Sequence, residues 1–323
     1  MRKIAIAPML DWSDRHYRYF MRQITTQTEL YSEMIVADAI LHGNREKLLA
    51  YSESEKPLAV QLGGSDPQKL SIASKICEDY GYSAINLNVG CPSDRVKSGN
   101  FGACLMREPN LVADCIQAMR GSVSIPVTLK HRIGLDYEDS YNALLKFVES
   151  IAKIGCVDFI VHARNAILKG LSPKQNREVP PLKYNFVYQL KKDLPQLNIM
   201  INGGIKTVEE IQEHLHHVDG VMLGREAYYN PYLFSNFDEL FFSELNNDSN
   251  YVTKTRKQIA KSMINYLEIM ALKDIPLHHI TRHMIGLYHG CANAKLWRHT
   301  LTQDIIKSNN IKTYIDLMDK MEN

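Results

Sequence analysis

The sequence predicts an α/β fold, a TIM (β/α)8 barrel followed by a small C-terminal all-α helical bundle. Three observations carry that prediction. Eight short apolar runs alternate with longer amphipathic segments over about 235 residues, the length such a barrel needs. Most of the apolar runs end in polar or conformationally special residues. After Arg225 the alternation stops, and from Tyr251 apolar residues recur at helical spacing.

Strands are expected at residues 4–7, 28–36, 58–62, 84–89, 127–132, 159–163, 198–201 and 220–223. Helices are expected between most of them, at 67–80, 109–119, 141–153, 186–194 and 208–216. Two of these have readable starts. Ser65-Asp66-Pro67 offers a polar cap before a proline in the first turn, and Thr207 precedes Glu209 and Glu210, which suit the positive end of the helix dipole. An open, doubly wound sheet would show the same periodicity. The strand ends favour the barrel: Ala7-Pro8-Met9, Gln61, Asn86 and Asn88 before Cys91, Lys130-His131-Arg132, His162-Ala163-Arg164, Asn202-Gly203-Gly204, and Gly224-Arg225. A barrel gathers such ends at one mouth, whereas an open sheet spreads them along an edge.

The acidic stretch 237–250 closes with the polar turn 246–250, which reads as a linker and gives domains of 1–244 and 245–323. The second domain is lopsided in charge. Between 251 and 300, Lys254, Arg256, Lys257, Lys261, Lys273, Arg282, Lys295 and Arg298 stand against Glu268 and Asp274, with five histidines in the same span. A solvated face and a surface for a polyanion are both open readings. His279 and His283 are one helical turn apart, but no carboxylate or cysteine completes a ligand set, so no metal is expected and a basic helix face is the better reading.

No apolar run is long enough to span a bilayer, and the N-terminus enters a strand without a signal-peptide pattern. The six cysteines contain no C-x-x-C pair, which argues against a disulfide framework or structural zinc; a cytoplasmic protein is expected.

Cys91 lies just past a buried strand, between Gly90 and Pro92, in a turn where chemistry is better served than packing. Cys104 reads as a packing residue. The segment from Cys91 to Met106, with Gly99 and Gly102, is a candidate cover. Asn202-Gly203-Gly204 and Gly224-Arg225 follow the seventh and eighth strands, where this fold holds phosphate, and Arg225 could clamp an anion. Gln61, Lys130 and His162 would point into the same mouth, where they could bond a planar ring rich in oxygen and nitrogen. Lys130 also suits a Schiff-base nucleophile of an aldolase type. A non-catalytic RNA-binding protein is a third reading.

Taken together, Ala7-Pro8-Met9, Gln61-Leu62-Gly63-Gly64, Asn86-Leu87-Asn88-Val89-Gly90-Cys91-Pro92-Ser93, Lys130-His131-Arg132-Ile133-Gly134, His162-Ala163-Arg164 and Asn202-Gly203-Gly204-Ile205 resemble the flavin-dependent tRNA-dihydrouridine synthases. The run 171–177 and the segment 291–298 resemble the A subfamily, which acts on uridines 20 and 20a of the D-loop. The resemblance covers nearly the whole chain. It implies FMN at the barrel mouth, NADPH (or NADH) as reductant, tRNA as partner and no obligate protein partner. By the same resemblance Pro8, Met9 and Leu10 line the flavin. Gln61, Lys130 and His162 bond its ring system and ribityl chain, and Asn202, Gly203, Gly204, Gly224 and Arg225 hold its phosphate end. Cys91 is the general acid and Asn88 contacts a flipped uridine. Lys174, Arg177, Lys295 and Arg298 orient the tRNA.

Overall fold

Eight parallel strands follow one another around a single sheet: β1 (Ile4–Ile6), β2 (Leu30–Val36), β3 (Leu58–Gly63), β4 (Ala84–Val89), β5 (Val127–Arg132), β6 (Asp158–His162), β7 (Asn198–Asn202) and β8 (Gly220–Leu223). The hydrogen-bonded order is β1-β8-β7-β6-β5-β4-β3-β2. The ring closes between the remaining neighbours, where Ile6 N donates to Glu29 O (2.9 Å) and Glu29 N donates to Ile4 O (3.1 Å). The sheet is therefore a barrel and not an open doubly wound layer. The computed structural model describes residues 3–93, 96, 99–245 and 252–321. The expected linker turn 246–250, and Asp94, Arg95, Lys97 and Ser98 of the candidate cover, lie outside the described residues.

The strands form where the sequence places them because a parallel sheet covered by helices is buried on both faces and needs continuous apolar runs. β3 and β4 are buried along their whole length. The helices Pro67–Asp79, Pro109–Ser122, Tyr141–Ala152, Tyr184–Asp193 and Val208–Leu215 lie between the strands. Asp66 caps the first by accepting from the N–H groups of Gln68 and Lys69, and Thr207 and Glu210 form a reciprocal capping box on the last.

The alternation of side chains along each strand carries the barrel interior from an apolar floor to a polar mouth. Ala5, Ala7, Tyr31, Ala59, Ala84, Ile160, Met200 and Met222 form one buried cluster. Two residues further along the same strands, pointing the same way, come Gln61 after Ala59, Asn86 after Ala84, His162 after Ile160 and Asn202 after Met200. Lys130 is in register with Asn88 on one side and Ile160 on the other, so it joins this inward set.

By contacts the chain divides into two units, the first made of the described residues of 1–10, 29–51 and 56–224. The second takes 11–28, 52–55 and 225–323, which differs from the expected division at 244/245. The reason is tertiary. The buried Asp238 carboxylate accepts from Thr25 Oγ1 (2.5 Å), Thr26 N (2.6 Å) and Thr26 Oγ1 (2.7 Å). Arg18 and Glu55 form a buried ion pair at 2.8 Å. The segment after β1 thus finds partners at Glu55 and, over two hundred positions away, at Asp238. Among the described residues, no helix is long and apolar enough to cross a membrane.

Candidate active site at the barrel mouth

β4 delivers Cys91 to the mouth, and Asn88 shapes the turn. Asn88 Oδ1 accepts the N–H of Gly90 (3.1 Å) and of Cys91 (3.0 Å), an arrangement that bends the chain out of the strand. Cys91 is half-buried, and its Sγ lies 3.5 Å from Ser93 Oγ. The following segment folds back on the turn, with Ala103 N donating to the Cys91 carbonyl at 2.9 Å. That return requires glycine at position 102. Its φ is +70°, and a Cβ there would sit 2.3 Å from Val96 Cγ1 and 2.7 Å from the Cys91 oxygen. Cys104 is half-buried and donates to the Phe101 carbonyl, in keeping with a packing residue.

Behind the turn runs a line of side-chain amides. Asn86 Nδ2 donates to Thr128 Oγ1, Gln61 Nε2 donates to Asn86 Oδ1, and Asn88 Nδ2 donates to Gln61 Oε1, each at 2.8 Å. Buried amides are expected to be satisfied in this way. The consequence is that Gln61 and Asn88 are both oriented from the barrel interior, and each has further amide N–H capacity for a ligand. The sequence reading gave Asn86 and Thr128 no role. The signal available for Asn86 was its two-residue spacing from Asn88, which puts both on the inward face.

Beside this line stand cations. Lys130 is half-buried; its Nζ donates to Asn202 Oδ1 at 3.2 Å and it makes no ion pair among the described residues. Burial, with Arg132 adding repulsion, pulls the Lys130 ammonium down to about 7. Burial likewise holds His162 well below the ordinary imidazole value, reinforced by Arg132, Lys130, Arg164 and Arg177. His162 is therefore neutral at physiological pH, and four cations lie within electrostatic reach of it. Asn202 is anchored by its own Nδ2, which donates to the Met222 carbonyl at 2.8 Å.

Past Asn202, Gly203 and Gly204 adopt φ +125° and +76°. A Cβ on Gly203 would lie 2.7 Å from His162 Cδ2, and neither glycine gives its N–H to an acceptor among the described residues. Tyr184 pins the turn by donating to the Gly203 carbonyl at 2.6 Å. The combination of free amide donors, a neutral imidazole and an uncompensated ammonium suits a phosphorylated, acceptor-rich ligand. A Cβ on Gly224 would meet only Ala7, at 3.9 Å, so the end of β8 leaves room. Pro8 and Met9 are half-buried after β1, and Leu10 is 61% exposed. Arg225 opens the helix Arg225–Tyr229 in the second unit.

Lys174 and Arg177 are exposed on the long loop after β6. That loop is wound around Asn176, whose Oδ1 accepts Ile167 N (2.7 Å) and whose Nδ2 donates to the carbonyls of Ile167 and Leu171. Lys295 and Arg298 are exposed on the helix Ala294–His299, in the second unit, with Trp297 buried on its other face. Two members of the expected basic face have partners within the protein. Arg256 lies 3.8 Å over the Tyr232 ring and donates from Nε to the Leu287 carbonyl. His283 is fully buried, 3.0 Å from Asp14 Oδ2 and 3.2 Å from Tyr228 Oη, which corrects its reading as part of a basic helix face. No metal-binding cluster is found among the described residues.

The model of the dihydrouridine synthase (Dus) family matches residues 5–321. The chain is similar to proteins named tRNA-dihydrouridine(20/20a) synthase. It is 55% identical to that of Synechocystis sp., covering 94% of this chain and 89% of the relative. It is 54% identical to that of Haemophilus ducreyi, covering 94% and 92%, and 52% identical to that of Shewanella oneidensis, covering 95% and 90%.

Proposed function

The chain belongs to the dihydrouridine synthase family, and on that premise we propose that it reduces the C5=C6 bond of uridines 20 and 20a in the D-loop of tRNA. The observation that carries this reading is the Asn88-held Cys91 turn, placed across the same mouth as Lys130, His162 and the Gly203-Gly204 shelf.

The residues present fit FMN. Gln61 and Lys130 offer donors to the acceptor edge of its ring, and His162 to the ring or ribityl chain. Asn202 and the unspent amides of Gly203 and Gly204, with Gly224 and Arg225, suit its phosphate, while Pro8, Met9 and Leu10 supply apolar cover. When bound and reduced by NADPH or NADH, FMN supplies the hydride for C6 of the uracil. Reduction of the double bond then needs one proton at C5, and the Cys91 thiol provides it as general acid. Asn88 has a free amide N–H to hold the uracil. A uracil can reach a barrel mouth only when turned out of its stack. Lys174, Arg177, Lys295 and Arg298 bind phosphates, so affinity for tRNA falls with salt. Family membership sets aside the aldolase and the non-catalytic readings.

The test is the absorption spectrum of the purified protein, its bleaching by NADPH without oxygen, and mapping of dihydrouridine in unmodified tRNA afterwards. A flavin spectrum with product at 20 and 20a is expected. A colourless protein, or unchanged tRNA after bleaching, overturns the proposal.

A further inference from the structure

Arg132, the last residue of β5, is 4% exposed and makes no ion pair among the described residues. A buried guanidinium without a carboxylate needs local acceptors to offset its burial. Here three of its five N–H groups are spent on backbone. Nε donates to the Gly90 carbonyl (3.2 Å), and one terminal nitrogen donates to the carbonyls of Asn165 (3.1 Å) and Asn176 (2.9 Å). Gly90 is the residue before Cys91. Asn165 opens the long loop after β6, and Asn176 stands between Lys174 and Arg177 near its far end. One rigid, planar group thus joins the Gly90 turn to two points of the loop after β6.

The Asn176 end is firm, because its side chain gathers the backbone of Ile167, Leu171 and Ser172. The Gly90 end is firm as well, because Asn88 fixes the Gly90 and Cys91 amides from the other side. A displacement of the loop that moves the Asn176 carbonyl must therefore either break a charge-assisted bond or shift the Cys91 turn.

We propose that Arg132 is a positioning residue that links the loop bearing Lys174 and Arg177 to the turn bearing Cys91, so that RNA seated on the loop sets the proton donor. The role in proton delivery rests on the function proposed above; the mechanical link does not. A lysine cannot replace it, since an ammonium on a flexible stem cannot hold three fixed carbonyls in one plane.

The experiment is amide hydrogen exchange, read peptide by peptide on the holoprotein, for wild type, Arg132→Lys and Asn176→Ala. Arg132→Lys is expected to lose about tenfold protection at both the 90–91 turn and the 165–177 loop, the scale of a lost charged hydrogen bond, with the β1–β8 ladder unchanged. Asn176→Ala alters only the loop, yet is expected to loosen the 90–91 turn too. Loosening of one segment alone in either variant overturns the link. In Arg132→Lys, turnover is expected to fall at least tenfold with bound flavin retained; unchanged turnover with both segments loosened overturns the role in proton delivery. A protein that holds no flavin and leaves tRNA unchanged defeats the proposed function but leaves the exchange result to decide the link by itself.

Discussion

Asn88 holds Cys91 through the backbone: its side-chain oxygen accepts the cysteine N–H at 3.0 Å, while its amide nitrogen donates to Gln61 at 2.8 Å. One side chain thereby sets the Cys91 turn and orients Gln61. Thr128, Asn86 and Gln61 carry this line of bonds back into the barrel interior.

Cys91→Ala should keep the flavin and lose turnover. Loss of a general acid costs about 10²- to 10⁴-fold in rate. The check is product formation per bound flavin; a wild-type rate would remove Cys91 from the acid role.

Asn88→Ala should cost both rate and stability. It leaves two backbone N–H groups and the Gln61 oxygen without a partner, a penalty of about 1–3 kcal/mol per group that stays buried. Denaturant midpoints and turnover measure the two effects. Asn86→Leu cuts the same line further back and should lower turnover without touching the turn directly. A fully active Asn86→Leu protein would show that the line is not needed.

The Lys130 ammonium, pulled from 10.5 down to about 7, makes the stability of the cofactor-free protein depend on pH. Between about 7 and 10.5 the unfolded chain binds the proton and the folded one does not, so stability rises with pH across that window. The cost of the buried charge is fully present below pH 7 and gone above the ordinary lysine value. Lys130→Met should therefore be more stable than wild type at pH 6, and the gap should close towards pH 10. A gap that is constant with pH refutes the burial argument.

Gly203→Ala should empty the mouth of its ligand. The new Cβ would meet His162 Cδ2 at 2.7 Å, on a backbone whose φ of +125° already disfavours any side chain. Flavin content after purification is the measurement. Full occupancy would mean that the phosphate lies elsewhere.

What the sequence determined by itself was local. Strand periods, the caps at Asp66 and Thr207, and the Gly90-Cys91-Pro92 turn depend on residues a few positions apart, and all stand in the structure as read. The inward set Gln61, Lys130, His162 and Asn202 was legible because strand alternation is strict and a barrel has one mouth. Tertiary structure decided what depends on partners far away in the chain. Asn86 and Thr128 became the root of an amide line, and Arg132 became a span between Gly90 and Asn176. Arg256 was drawn over Tyr232, and His283 was taken from a supposed basic face into contact with Asp14. Residues 11–28, which read as barrel, joined the second unit through Asp238. Polar and charged side chains carry no periodicity that says whom they will meet, and burial favours whichever partner the fold brings within reach.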